Sequence, residues 1–133
     1  MIFLDTSGLY ALADVDDENH EHAVRTLDVA LRNGEELLAH SYVLVESAAL
    51  LQKRLGLKSA LAFLRDAQSF RITWVSPELH HEAVAFLQKS RRSKISLVDA
   101  VSFLVMREEK VEQYLGFDQH FADQGFHPAP GKP

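Results

Sequence analysis

Short apolar runs alternate along the chain with longer stretches of helical period. The first run, Ile2-Phe3-Leu4, shows no polar alternation and reads as a strand buried on both faces, as in the middle of a parallel sheet. It breaks off into Asp5-Thr6-Ser7, an acid and two hydroxyls that can start a helix. Further strands are predicted at Glu36 to His40, Ile72 to Val75 and Tyr114 to Phe117. Helices are predicted from Ser7 to Val15, from His20 to Arg32, from Ser41 to a stop at Gly56, and from Lys58 to Ser69. Two more follow, one opened by Pro77 and one running from a Ser96 cap to Glu108. In the second helix Ala23, Leu27, Ala30 and Leu31 share the inward face; in the fifth, Leu79, Ala83, Phe86 and Leu87 do. The sixth is apolar on nearly every side apart from Asp99 and Ser102, so it should be the most buried. Strands separated by helices imply right-handed crossovers and a parallel sheet between helical layers, an α/β chain with more helix than strand.

The chain has 133 residues, 47% of them hydrophobic, which suits one domain with a genuine core over residues 1–127. The Pro- and Gly-rich end, 128–133, reads as a mobile tail. Without cysteine there is neither a disulfide framework nor a thiolate metal site. No apolar run reaches membrane-spanning length, and Ile2 to Leu4 is too short and lacks the basic flank of a signal peptide, so a cytoplasmic protein is expected. A net charge of −5 argues against binding a polyanion, unless the acids are concentrated at one place.

Four acids stand at equivalent positions. Asp5 follows the first strand, Glu46 lies in the early turns of the helix after the second, Asp99 is in the first turn of the buried helix, and Asp118 follows the last strand. All fall on the carboxyl side of the sheet, where open α/β sheets bind ligands. Each taken singly fits a helix cap, a turn or a surface acid. Together, at about 6 Å and an effective dielectric of about 20, each like-charge pair costs on the order of 3 kcal/mol. Six such pairs rival a domain's whole net stability of roughly 5 to 15 kcal/mol. Such acids either share protons or bind cations. Hard oxygen ligands, with no cysteine and no histidine pair at chelating helical spacing, point to magnesium or manganese. Asp14, Asp16 and Glu18 imitate the start of an EF-hand loop, but Asn19 and Arg25 stand where its Gly and bidentate acid belong.

These stretches resemble the PIN-domain ribonucleases, in particular the VapC-type toxins of bacterial toxin-antitoxin pairs. Leu4-Asp5-Thr6-Ser7 looks like the family's first motif, and Asp17-Glu18-Asn19-His20-Glu21-His22-Ala23 resembles its acid, histidine, alanine pattern. Ser41 with Glu46, then Ser96-Leu97-Val98-Asp99-Ala100, and lastly Phe117-Asp118-Gln119-His120-Phe121 match the remaining acidic motifs in order. One departure is visible: such proteins usually carry Thr or Ser two positions before the last acid, where this chain has Gly116. The resemblance implies a three-layer α/β/α fold with a five-stranded parallel sheet in the order 3-2-1-4-5, flanked by six to seven helices. It also implies metal-dependent cleavage of RNA phosphodiesters at one or two ions. Asp5, Glu46 and Asp99 would ligate or position the first ion and Asp118 the second. Thr6, Ser7 and Ser96 would orient water or phosphate, or cap helices. Lys89, Arg91, Arg92 and Lys94 lead into the acid helix and are candidates for RNA backbone contacts, or for a solvated helix end.

The third and fourth helices carry more apolar residues than one core stripe needs, among them Leu44, Leu50, Leu57, Leu61, Phe63 and Leu64. A homodimer is therefore expected and, by resemblance, an antitoxin segment covering the acidic cleft. Two other classes compete. A haloacid-dehalogenase-like phosphatase needs a second Asp where Ser7 stands, and a receiver domain needs an acid and lysine set that cannot be placed. A non-catalytic module keeping the acids as a metal or peptide site is separated from a nuclease only by assay.

Overall fold

The computed structural model describes residues 1–90 and 94–131. Its strands are β1 (Ile2–Leu4), β2 (Leu37–His40), β3 (Arg71–Thr73), β4 (Gln113–Leu115) and β5 (His127–Pro128). Its helices are α1 (Thr6–Ala13), α2 (His20–Arg32), α3 (Ser41–Leu55), α4 (Leu57–Asp66), α5 (Pro77–Lys89), α6 (Leu97–Glu108) and α7 (Gln119–Asp123), with a 3₁₀ turn at Ala67–Ser69. The sheet runs β3-β2-β1-β4-β5 with every pairing parallel. Right-handed crossovers carry α1 to α4 over one face while the chain steps from β1 to β3, and α5 to α7 over the other after it returns to β4. The packing agrees, with α1 against α2 and α3, α3 against α4, and α5 against α6.

β1 is central because both of its neighbours pair with it, Ile2 opposite Leu37 on one side and Gln113 on the other. Ile2, Phe3 and Leu4 are all buried, as the unbroken apolar run requires. Phe3 touches the rings of His40 and Phe121, and Phe121 meets Phe103 and Tyr114, so an aromatic cluster joins β1, α6 and α7. α6 is the most buried helix, closed by Ser96 and Asp99 in a reciprocal capping box. α1 lies close on the sheet because position 8 has no side chain: a Cβ there would stand 2.4 Å from the Leu115 carbonyl oxygen.

His40 ends β2 inside the core. Its Nδ1 accepts the amides of Tyr42 and Val43, capping α3, so the proton sits on Nε2 and is donated to Ser102 Oγ at 2.8 Å. Ser102 in turn donates to the Val98 carbonyl. Burial pushes the imidazole pKa down to about 4.

Several boundaries differ from the pattern. β3 stops at Thr73 because the Val75 amide turns to Ser41 Oγ instead of the ladder, and Trp74 is 70% exposed. Leu31 does not face the core: α2 buries Ala23, Thr26, Val29 and Ala30, and leaves Val24, Leu27 and Leu31 along an apolar groove with Leu9, Leu12 and Phe63. Pro128 and Ala129, assigned by composition to the tail, belong to the sheet border. The amides of His127 and Ala129 donate to the carbonyls of Glu112 and Tyr114, and Ala129 is buried. Proline is tolerated between them because that residue's nitrogen faces away from β4. No described helix is long and apolar enough to cross a membrane.

Candidate active site

Connections leave β1 and β4 toward opposite faces, so the carboxyl ends of these neighbouring strands bound the crevice where such sheets take ligands. A cleft of about 470 Å³ opens there, lined by Asp5, Thr6, Ser7, Glu46, Lys94, Ser96, Asp99 and Asp118. All four sequence-marked acids thus reach one cavity, from β1, α3, α6 and the β4–α7 turn.

Three of the acids are fixed by capping. Asp5 is the N-cap of α1 and only 4% exposed; its Oδ2 takes the Ser7 hydroxyl at 2.7 Å. Burial pushes its carboxyl up to about 6, against the lowering effect of the Ser7 hydrogen bond and with a further push from the charge of Asp99. Asp99, the third residue of α6, accepts the Ser96 amide at 3.2 Å and is raised by burial and by Asp118. Asp118 caps α7 through the His120 amide at 2.9 Å. Glu46 is exposed on the second turn of α3 and reaches the cleft with a longer, freer side chain.

The tightest ligand set differs from the one expected. Asp99, Asp118 and His120 each offer an atom within 4.8 Å of the others, whereas Asp5 and Glu46 line the same cleft outside that group. The Asp5 carboxylate is held by Ser7 and still feels the charge of Asp99. Two carboxylates and an imidazole, beside the buried carboxyl of Asp5, suit a divalent cation. The Oγ1 of Thr6 and the Nδ1 of His120 are buried without a protein partner, as groups facing a ligand would be.

Two hydroxyls are already engaged. Ser96 caps α6, and Ser7 donates to Asp5 while accepting the Phe117 amide at 2.9 Å, tying the end of β1 to the β4–α7 turn. Gly116 has a steric reason: a Cβ there would lie 2.9 Å from that of Asp5 and 3.3 Å from Ser7 Oγ. Lys94 is exposed on the rim, while Arg91 and Arg92 lie outside the described residues. His120, Tyr10, Asp17, Asn19 and Arg54 also line or join the site without having been named as site residues from sequence. For His120 a signal existed, an imidazole two residues beyond the last motif acid. Asp17 and Asn19 stand in the acid, histidine, alanine stretch, whereas for Tyr10 and Arg54 only folding supplies the neighbourhood.

The PIN domain family model matches residues 2–126. The chain belongs to the PIN-domain family. Within it, this PIN domain is 32% identical over 128 residues, 95% of either chain, to the 23S rRNA-specific endonuclease VapC20 of Mycobacterium tuberculosis, in each of two strains. It superposes with a TM-score of 0.83 and 31% identity on the crystal structure of that organism's VapC20, described as a Sarcin-Ricin loop cleaving toxin, covering 95% of this chain and 96% of the other. The sheet order and the helices of this PIN domain follow that architecture.

Proposed function

We propose that the chain is a magnesium- or manganese-dependent endoribonuclease that hydrolyses RNA phosphodiester bonds and serves as the toxin of a VapBC-type pair. The observation that carries the reading is the meeting of Asp5, Glu46, Asp99 and Asp118 in one cleft at the sheet's switch point, in a chain similar throughout its length to an rRNA endonuclease. Asp99 and Asp118, with His120 beside them, would hold one divalent ion, and Asp5 and Glu46 would complete that site or hold a second. A bound divalent ion supplies Lewis acidity and lowers the pKa of water. The chain's own residues do the rest. Ser7 keeps Asp5 oriented, the Ser96–Asp99 box fixes the acid of α6, and the unpartnered Thr6 Oγ1 can donate to a phosphate oxygen or orient the attacking water. Lys94 on the rim offers a charge to the RNA backbone, a role also assigned to Arg91 and Arg92.

The proposed assembly is a cytoplasmic homodimer that also binds a VapB-like antitoxin. Leu57, Leu61 and Leu64 recur along one exposed face of α4, which suits a self-complementary interface. The apolar groove of about 930 Å³ along α1, α2 and α4 suits an amphipathic antitoxin helix, from which a following segment would cover the cleft. The deciding test incubates the protein with structured RNAs, including a 23S rRNA hairpin, in magnesium or manganese, with and without chelator. Discrete cuts that vanish with chelator are expected. RNA left intact by folded protein in every metal would end the nuclease reading.

A further inference from the structure

Arg54, in the last turn of α3, lines the acid cleft, yet no described carboxylate lies within ion-pair distance of its guanidinium. It is seated instead on the face of Tyr10, with its guanidinium carbon 5.1 Å from the ring centroid. The guanidinium also interacts with the Tyr10 hydroxyl and feels the charge of Asp14, whose Oδ2 takes that hydroxyl at 2.6 Å and whose Oδ1 takes the Asp16 amide at 3.0 Å, so Tyr10 and Asp14 together hold the arginine in place. Tyr10 is itself buried on α1, so the platform under the guanidinium is rigid. Among the described residues the lining carries five carboxylates, Asp5, Asp17, Glu46, Asp99 and Asp118, against two cations, Arg54 and Lys94. A polyanion approaches such a rim where a cation meets it, and a guanidinium, with five N–H donors, keeps donors for a phosphate beyond those it gives to Tyr10.

We infer that Arg54, held over the ring of Tyr10, is an anchor for an RNA phosphate at the mouth of the acid cleft, with Tyr10 as its positioning residue. The inference rests on the nuclease reading and adds to it the contact that lets RNA approach an acidic site. A last-turn arginine that merely complements the helix dipole would affect stability and leave RNA binding alone.

The test measures binding of a fluorescein-labelled RNA hairpin by anisotropy across a salt series, in an Asp99→Asn background that does not consume the probe. Arg54→Gln should bind about tenfold more weakly and lower the slope of log K against log salt by about 0.7, one single-strand phosphate contact. Arg54→Lys keeps the charge and should keep the slope, while losing several-fold in affinity because the fork is gone. Tyr10→Phe, which keeps the ring but loses the hydroxyl that meets Asp14 and Arg54, should fall between the parent and Arg54→Gln, and Tyr10→Leu should behave as Arg54→Gln, with thermal melts showing each variant folded. Parent-like affinity and slope in Arg54→Gln would overturn the anchor and leave the nuclease reading standing. Absence of RNA binding by the parent, with no cleavage by wild type, would overturn both.

Discussion

Ser7 gives its hydroxyl proton to Asp5 across 2.7 Å, and this is the hydrogen bond that most restrains the rise in the Asp5 pKa. Removing the hydroxyl leaves desolvation unopposed. Ser7→Ala should therefore raise the Asp5 pKa further and move the acid limb of the cleavage profile to higher pH, with activity within several-fold of wild type on the alkaline side. An acid limb that stays where it was would show that ionised Asp5 is not required.

Asp5→Asn should abolish metal-dependent cleavage without unfolding the chain. The folded pKa of Asp5, about 6, is above its reference of 3.8, so the group's favourable contribution is full below pH 3.8 and is lost as pH rises through about 6. In metal-free protein at pH 7.5 that loss amounts to about 3 kcal/mol, and the amide escapes it. Asp5→Asn should thus melt higher than wild type in chelator, and manganese should raise the melting temperature of wild type more than that of the variant. The reverse order in both conditions would remove Asp5 from the cation site.

His40 works in the opposite direction. Its folded pKa, about 4, lies below the reference of 6.5, so stability present above pH 6.5 falls as pH drops toward about 4, by about 3 kcal/mol. Asn in its place can still cap α3 but cannot titrate. His40→Asn should start less stable at pH 7.5, from the cavity, and lose less than wild type between pH 6.5 and 4 in urea melts. Parallel losses in the two proteins would contradict the buried neutral imidazole.

Gly116→Ala places a methyl 2.9 Å from the Asp5 Cβ, where Asp5 or the β4–α7 turn must give way. A destabilisation of roughly 1 to 3 kcal/mol is expected, and kcat should fall more than RNA affinity because it is Asp5 that is displaced. Unchanged melting and unchanged rate would show that the turn yields freely.

Leu61→Glu, on the exposed stripe of α4, should convert a dimer to a monomer by light scattering at micromolar concentration, with secondary structure retained. Wild type already monomeric there would remove the dimer.

The architecture was legible because β1 is an unbroken apolar run that ends in Asp5 and β4 stops shortly before Asp118. Ile2 to Leu4 reads as a strand buried on both faces and is one, and the Ser96 to Asp99 cap is written locally. What could not be read was set at a distance. The two-residue β5 exists only because Glu112 and Tyr114 receive its flanking amides, and Leu31 faces a groove whose other wall comes from α1 and α4. His120 joins Asp99 across separate elements, and Ser7 meets the Phe117 amide across 110 positions of sequence.

Pro128 has an effect at the outer border of the sheet as well as within it. A strand seeking to extend that border would need an amide proton from the one residue there that has none, and the segment offering itself is two residues long. Edge-to-edge growth is thereby blocked on the β5 side, and any protein that joins this molecule there must engage side chains instead of the backbone ladder.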